Sequence, residues 1–195
     1  MIMIDKKDFE IMRKEIKDFD SQRDMLIKES RNVIRLSKEV IYSIHRNEIK
    51  EAPKLIAEMK KELDKITAMT KNHTELYYSP SYKIAVQEYV EAMAYYYFVT
   101  KKRLPTHTEL EVRSDEFLLG LCDLTGELVR KAINSAINKD YKTAVVIKDF
   151  VFDLYVELLK FDFRNGELRK KFDGIKYDLR KLEDLVLDLK LKGRK

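Results

Sequence analysis

Apolar residues recur along this chain at steps of three and four. From Phe9, the positions Phe9, Met12, Ile16, Phe19, Leu26, Val33, Val40 and Ile44 keep that step, and Arg23, Ser30 and Ser37 fall at the skipped places. Such spacing lines one face of an α-helix. It predicts a single helix of almost forty residues, roughly 55 Å long at 1.5 Å per residue. Pro53 suits the first turn of a second helix over about residues 53–70. Ser79-Pro80 reads as a cap and a first-turn proline, opening a third helix that runs to about Lys101. Leu104-Pro105 closes it. Thr106 and Glu109 have capping-box spacing and predict a short turn of helix. Further helices are expected from about Ser114 to Asn138 and from Asp140 to about Lys160, with Asn165-Gly166 as a turn. The last helix repeats Leu168, Phe172, Ile175, Leu179, Leu182, Val186 and Leu189, a seven-residue seam. No strand-length alternation competes. The expected fold is all-α, one domain over residues 1–195 with six or seven long helices.

Composition agrees. The 195 residues include only 5 Gly and 3 Pro, which leaves little material for turns. Cys122 is the single cysteine, so no disulfide can form within the chain, and a reducing cytoplasm is expected. The opening MIMIDKKDFE has no apolar stretch long enough for a signal peptide. The longest apolar run, Ala92 to Val99, falls far short of the roughly 20 residues of a membrane span. Two helices with seams longer than a small bundle can cover predict a homo-oligomer.

The net charge of +5 is unevenly spread. Residues 1–163 hold 28 basic and 28 acidic side chains, whereas residues 164–195 hold 11 basic and 6 acidic. A basic terminal helix suits a polyanion, and equally a solvated face with its cations near a helix end. Lys28, Arg31, Arg35 and Lys38 form a second basic feature, a stripe along the first helix. It reads as a phosphate-binding surface, or as a solvated stripe paired with acids such as Asp24 and Glu39.

Two pairs of acids lie in mainly apolar stretches. Glu88 and Glu91 in VQEYVEAM share one helix face, and so do Asp123 and Glu127 in LLGLCDLTGELVR. An unpaired buried charge is very costly, so these acids face water or flank something positive. Gly120 and Gly126 interrupt the second helix at about 1 kcal/mol each, which suggests close approach of a backbone or a bulky ligand. Two such helices could converge on Mg²⁺ or Mn²⁺, which favour oxygen ligands. Spacing alone does not decide it, because helical acid pairs also arise on solvated faces in a chain with 34 acids.

Other chemistries fit less well. His45, His73 and His107 lie in different segments, and no Glu-x-x-His of a di-iron bundle occurs. Each reads as a surface or packing residue. Cys122 adjoins Asp123 and reads as a core thiol. No glycine-rich phosphate cradle is present. Tyr95, Tyr96 and Tyr97 read as packing residues whose hydroxyls find partners.

QEYVEA at 87–92, LLGLCDLTGELVRKAINS at 118–135, LRKKFDGIKYDLRKLEDLVLDLKLKG at 168–193 and SRNVIRLSKEVIYSIHR at 30–46 together resemble the translin superfamily. The last segment is closer to the translin branch. The acidic motifs resemble the branch of translin-associated factor X, where four such acids form a metal-dependent ribonuclease site. The resemblance thus implies that Glu88, Glu91, Asp123 and Glu127 hold Mg²⁺ (or Mn²⁺) against an RNA phosphate, with Glu91 or Asp123 as the general base. It implies hollow octameric shells that enclose nucleic acid. Translin's His- and Arg-rich stretch has no counterpart in YYSPSYKIAV. Arg31 and Lys38 match the family pattern and Arg35 does not.

The expectation is a Mg²⁺-dependent endoribonuclease leaving 5′-phosphate and 3′-hydroxyl ends. The alternative is a non-catalytic oligomer that binds RNA or single-stranded DNA. A purely structural oligomer leaves the acids and the basic last helix without a role.

Overall fold

The computed structural model describes residues 4–192. Six α-helices make up the fold, α1 (Lys6–His45), α2 (Ala52–Asn72), α3 (Pro80–Lys101), α4 (Ser114–Ile137), α5 (Tyr141–Leu158) and α6 (Glu167–Lys192). A 3-10 turn at Thr74–Tyr78 joins α2 to α3, pinned by buried Leu76. No strand occurs among the described residues, and no helix there is long and apolar enough to cross a membrane.

Local chemistry sets the helix ends. Asp5 caps α1, accepting from the N–H groups of Lys7 and Asp8 at 3.0 and 3.3 Å. The helix therefore starts three residues before its first apolar seam position. Pro53 and Pro80 lie in the first turns of α2 and α3, as expected. The capping box forms, with Thr106 N–H donating to Glu109 at 2.8 Å and Glu109 N–H donating to the Thr106 hydroxyl at 3.1 Å. It closes a turn rather than a helix, because the chain takes φ 56° at Glu111.

Contacts across the helices fix their directions. Ser37 meets Met59 and Glu29 meets Lys65, so α2 runs back along α1. His45 of α1 reaches Tyr95, far along α3, and Lys38 lies near Glu88 earlier on it, so these two helices run parallel. Lys83 meets Glu116 and Val90 meets Gly120, so α4 runs parallel to α3. Short connections turn α5 against α4 and α6 against α5. A continuous core passes through all six helices, from Leu26 and Val33 through Ile66, Val90 and Leu128 to Ile147 and Leu182.

The two long seams fare differently. On α6, Phe172, Ile175, Leu179, Leu182 and Val186 are buried within the chain itself, against α4 and α5. On α1 the second half is buried, whereas Phe9, Met12 and Ile16 are exposed at 49%, 38% and 62%. Of these two seams, that of α1 is the one left partly open among the described residues.

Candidate active site

The parallel contact of α3 with α4 brings the two acid pairs together. At its centre is Gly120. A Cβ there would stand 2.6 Å from the Val90 Cβ and 2.9 Å from the Gln87 carbonyl oxygen, so only glycine admits this approach. Gly126 is different. It is exposed, with nothing within 4 Å of a Cβ, so no close approach within the chain explains it.

Glu88 and Glu91 come from α3, Asp123 and Glu127 from α4, and all four are half-buried. Glu91 is the most perturbed. Burial pushes its carboxyl up to about 8, and the charges of Asp123, Glu88 and Glu127 push the same way. Burial also raises Glu88, with the Lys38 ammonium opposing. Each acid of α3 thus feels the acids of α4, as a convergent set requires.

The α4 acids have partners. Lys171 of α6 donates to Asp123 Oδ1 at 2.6 Å, and the Gln87 amide donates to Oδ2. His45 Nε2 lies 2.5 Å from Glu127 Oε2, and the His45 Nδ1 lies 3.2 Å from the Tyr95 hydroxyl. Nε2–H donates to the Glu127 carboxylate, and Nδ1 pairs with the Tyr95 hydroxyl. Arg130 stands 3.9 Å from Glu127 and stacks over the Tyr42 ring. Among the described residues, no three His, Cys, Asp or Glu side chains form a ready group that could hold a metal ion.

The donor set still fits a hard divalent cation in kind, because it consists of carboxylate oxygens. Its charge is also only partly compensated, since half-buried Glu91 feels three acids against the Lys171 ammonium and has no ion pair within 4.0 Å among the described residues. Cys122 next door is a buried thiol pushed up to about 12, chiefly by burial, so it stays protonated as a core residue.

The basic stripe is exposed on α1. Arg31, Arg35 and Lys38 line a groove of about 450 Å³ with Ile34, Glu39, Tyr42 and Arg46. Arg35 is tied to Glu39 at 2.6 Å, while Asp24 has no ion pair with the stripe. Lys28 lies outside the groove. Lys38 bridges the two features, because its charge acts on Glu88.

Sequence reasoning missed His45, Lys171 and Gln87. His45 is neither a surface nor a simple packing residue, because it joins Glu127 to Tyr95. Its signal was the seven-residue step Arg31, Lys38, His45, which puts it on the basic stripe. Lys171, in a helix with many cations, gave no signal that it would meet Asp123.

The Translin family model matches residues 21–193. Translin of Gallus gallus is 37% identical over 79 residues, which are 40% of this chain and 34% of that protein. The match thus spans about a third of that relative's length. Translin-associated protein X of Rattus norvegicus is 25% identical over an alignment of 229 residues, covering 95% of this chain and 78% of that one. The apo-NeC3PO crystal structure superposes with a TM-score of 0.86 at 28% identity, covering 96% of this chain and 98% of that chain. AfC3PO in complex with duplex RNA gives 0.85 at 26% identity, covering 94% and 97%.

Proposed function

We propose, from the premise that this chain belongs to the translin family, that it is a Mg²⁺- or Mn²⁺-dependent endoribonuclease. The observation that supports this most is electrostatic: across the α3–α4 contact the charges of Asp123, Glu88 and Glu127 all act on Glu91. Glu88, Glu91, Asp123 and Glu127 would hold the cation. The cation would supply a polarised phosphoryl group and a water of lowered pKa. Lys171 and His45 hold Asp123 and Glu127 in place by hydrogen bonds. Glu91 or Asp123 accepts the proton of the attacking water. The water oxygen bonds to phosphorus, the bond to the 3′-oxygen breaks, and that oxygen leaves as an alkoxide that takes a proton from solvent water. The products carry 5′-phosphate and 3′-hydroxyl ends. Arg31 and Lys38 bind RNA backbone phosphates beside the acids, with Arg35 and Lys28 in lesser roles.

The RNA is enclosed by a homo-oligomeric shell. The exposed seam of α1 supports the assembly, since Phe9, Met12 and Ile16 are left open to solvent. Light scattering that found a strict monomer at micromolar concentration would remove this part of the reading.

A binding-only role has one observation in its favour. Lys171 and His45 already answer two of the four acids. Cleavage of RNA in Mg²⁺, and its loss in EDTA, separates the two. Glu91→Gln and Asp123→Asn are each expected to lower cleavage more than ~100-fold while RNA binding and folding persist. Full activity in both variants, or activity undiminished in EDTA, would sink the metal site and leave the binding role.

A further inference from the structure

About two turns beyond Glu91 on α3 and one turn beyond Glu127 on α4, these helices meet the start of α5. They enclose a cavity of about 380 Å³. Its wall is apolar, built from Phe98, Val99, Val146, Ile147 and Phe150, with the Phe98 and Phe150 rings 4.7 Å apart. Its polar side is almost entirely cationic. Lys102, Arg103, Lys131 and Lys142 all line it, and no carboxylate does.

These cations are not equally free. Arg103 is engaged, donating to both Glu109 oxygens at 2.7 and 2.9 Å. Asp140 lies close to Lys131 and Lys142, but its carboxylate caps α5 by accepting from Thr143 N–H at 3.1 Å. Lys102, Lys131 and Lys142 form no ion pair within 4.0 Å among the described residues. Lys102 also holds a left-handed backbone conformation, φ 56°, where glycine or asparagine fits better.

We propose that this cavity binds a nucleoside 5′-phosphate, free or at the end of a strand, with the base on Phe98 and Phe150 and the phosphate held by Lys102, Lys131 and Lys142. The volume falls in the range of small-ligand sites. Three uncommitted ammonium groups exceed what one carboxylate could satisfy, which disfavours a fatty acid. An apolar wall with two aromatic rings would be idle against inorganic phosphate alone, whereas a base stacks on such rings. Lys131 is depressed by burial and by the Lys102 charge, as expected of a cation short of an anion. The site lies on different residues from the acids, so it stands whether or not the acids cleave RNA.

Calorimetric titration in EDTA tests it. Adenosine 5′-monophosphate is expected to bind with a Kd below about 1 mM, and adenosine or inorganic phosphate at least ~10-fold more weakly. Lys131→Met with Lys142→Met should weaken the nucleotide ~10-fold or more. Lys142→Glu alone, at an exposed position, should weaken it without risk to the fold. Glu91→Gln should leave it unchanged. Competition with short RNAs identifies the source. Displacement by a 5′-phosphorylated strand but not its 5′-hydroxyl twin upholds the site as one for strand ends. No displacement by either, with the mononucleotide still bound, upholds it as one for free nucleotides. Absent binding at millimolar nucleotide, binding unchanged in the lysine variants, or tighter binding of decanoate than of the nucleotide would overturn the proposal.

Discussion

The two ends of the α3–α4 pair carry opposite charge and solve opposite problems. Midway along, Glu88, Glu91, Asp123 and Glu127 gather, and side chains from two other helices reach in to answer them. Lys171 comes from α6 and His45 from α1. At the far end Lys102, Lys131 and Lys142 gather, and the acids near them are already used, Asp140 as a cap and Glu109 by Arg103. At the acid end, Asp123 and Glu127 already have partners within the chain. The basic end is left short of an anion. Held side chains suit a site that positions its ligands, and an unanswered charge suits a site that binds an anion.

The contrast can be broken at the acid end first. His45→Ala removes the donor to Glu127 and leaves the Tyr95 hydroxyl without its partner. Cleavage should fall by ~10–100-fold while RNA affinity holds, as for residues that orient metal ligands. Unchanged cleavage would show that Glu127 needs no such support.

The glycines of α4 come next. Gly120→Ala forces Val90 and the Gln87 carbonyl to shift, and should cost ~1–3 kcal/mol in denaturant unfolding. Gly126→Ala meets open space in an exposed helix interior, and should gain up to ~1 kcal/mol. Equal effects at the two positions would mean that the α3–α4 distance is not set at Gly120.

Removing Arg31 and Lys38 together should lower RNA affinity for all sequences. It should flatten the slope of log affinity against log salt by about 1.4, the equivalent of two phosphate contacts on a single strand. An unaltered slope would move the contact surface to the basic segment from Arg164 onward.

The last test is a pH dependence. In metal-free protein the Glu91 carboxyl is raised from 4.5 to about 8. The folded state then holds more protons than the unfolded state between those values. This contribution is fully present below about pH 4.5 and is lost as pH rises through about 8. Glu91→Gln should flatten that decline in denaturant midpoints measured in EDTA. Identical slopes would assign the decline to other groups.

The helices were legible because each carries its own period, cap or proline. Pro53, Pro80 and the α6 seam spoke for themselves. The 3-10 turn at Thr74–Tyr78 was not legible, because five residues are too few to show a period. The acid pairs were legible as pairs, and the family resemblance joined them. Their surroundings were not. A periodic pattern tells which residues share a face, but not which faces meet. Thus His45 and Glu127, 82 residues apart, and Lys171 and Asp123, 48 apart, had no common signal. The cationic cavity was hidden for the same reason, since it draws on three separate helices and the end of one of them.

The parallel course of α3 and α4 has a consequence for the order of folding. Antiparallel neighbours close cheaply, α1 with α2 through residues 46–51 and α4 with α5 through residues 138–140. The α3–α4 contact cannot close that way, because residues 102–113 must first carry the chain back along α3. Hairpins such as α4–α5 therefore gain their contacts early, and the Val90–Gly120 contact forms late. Kinetic φ-values near zero at Val90, with higher values at Ile147, would mark that sequence of events, and the reverse pattern would refute it. A chain still folding thus has its helices before it has its acid cluster, and the carboxylates repel one another only once the rest of the molecule can hold them.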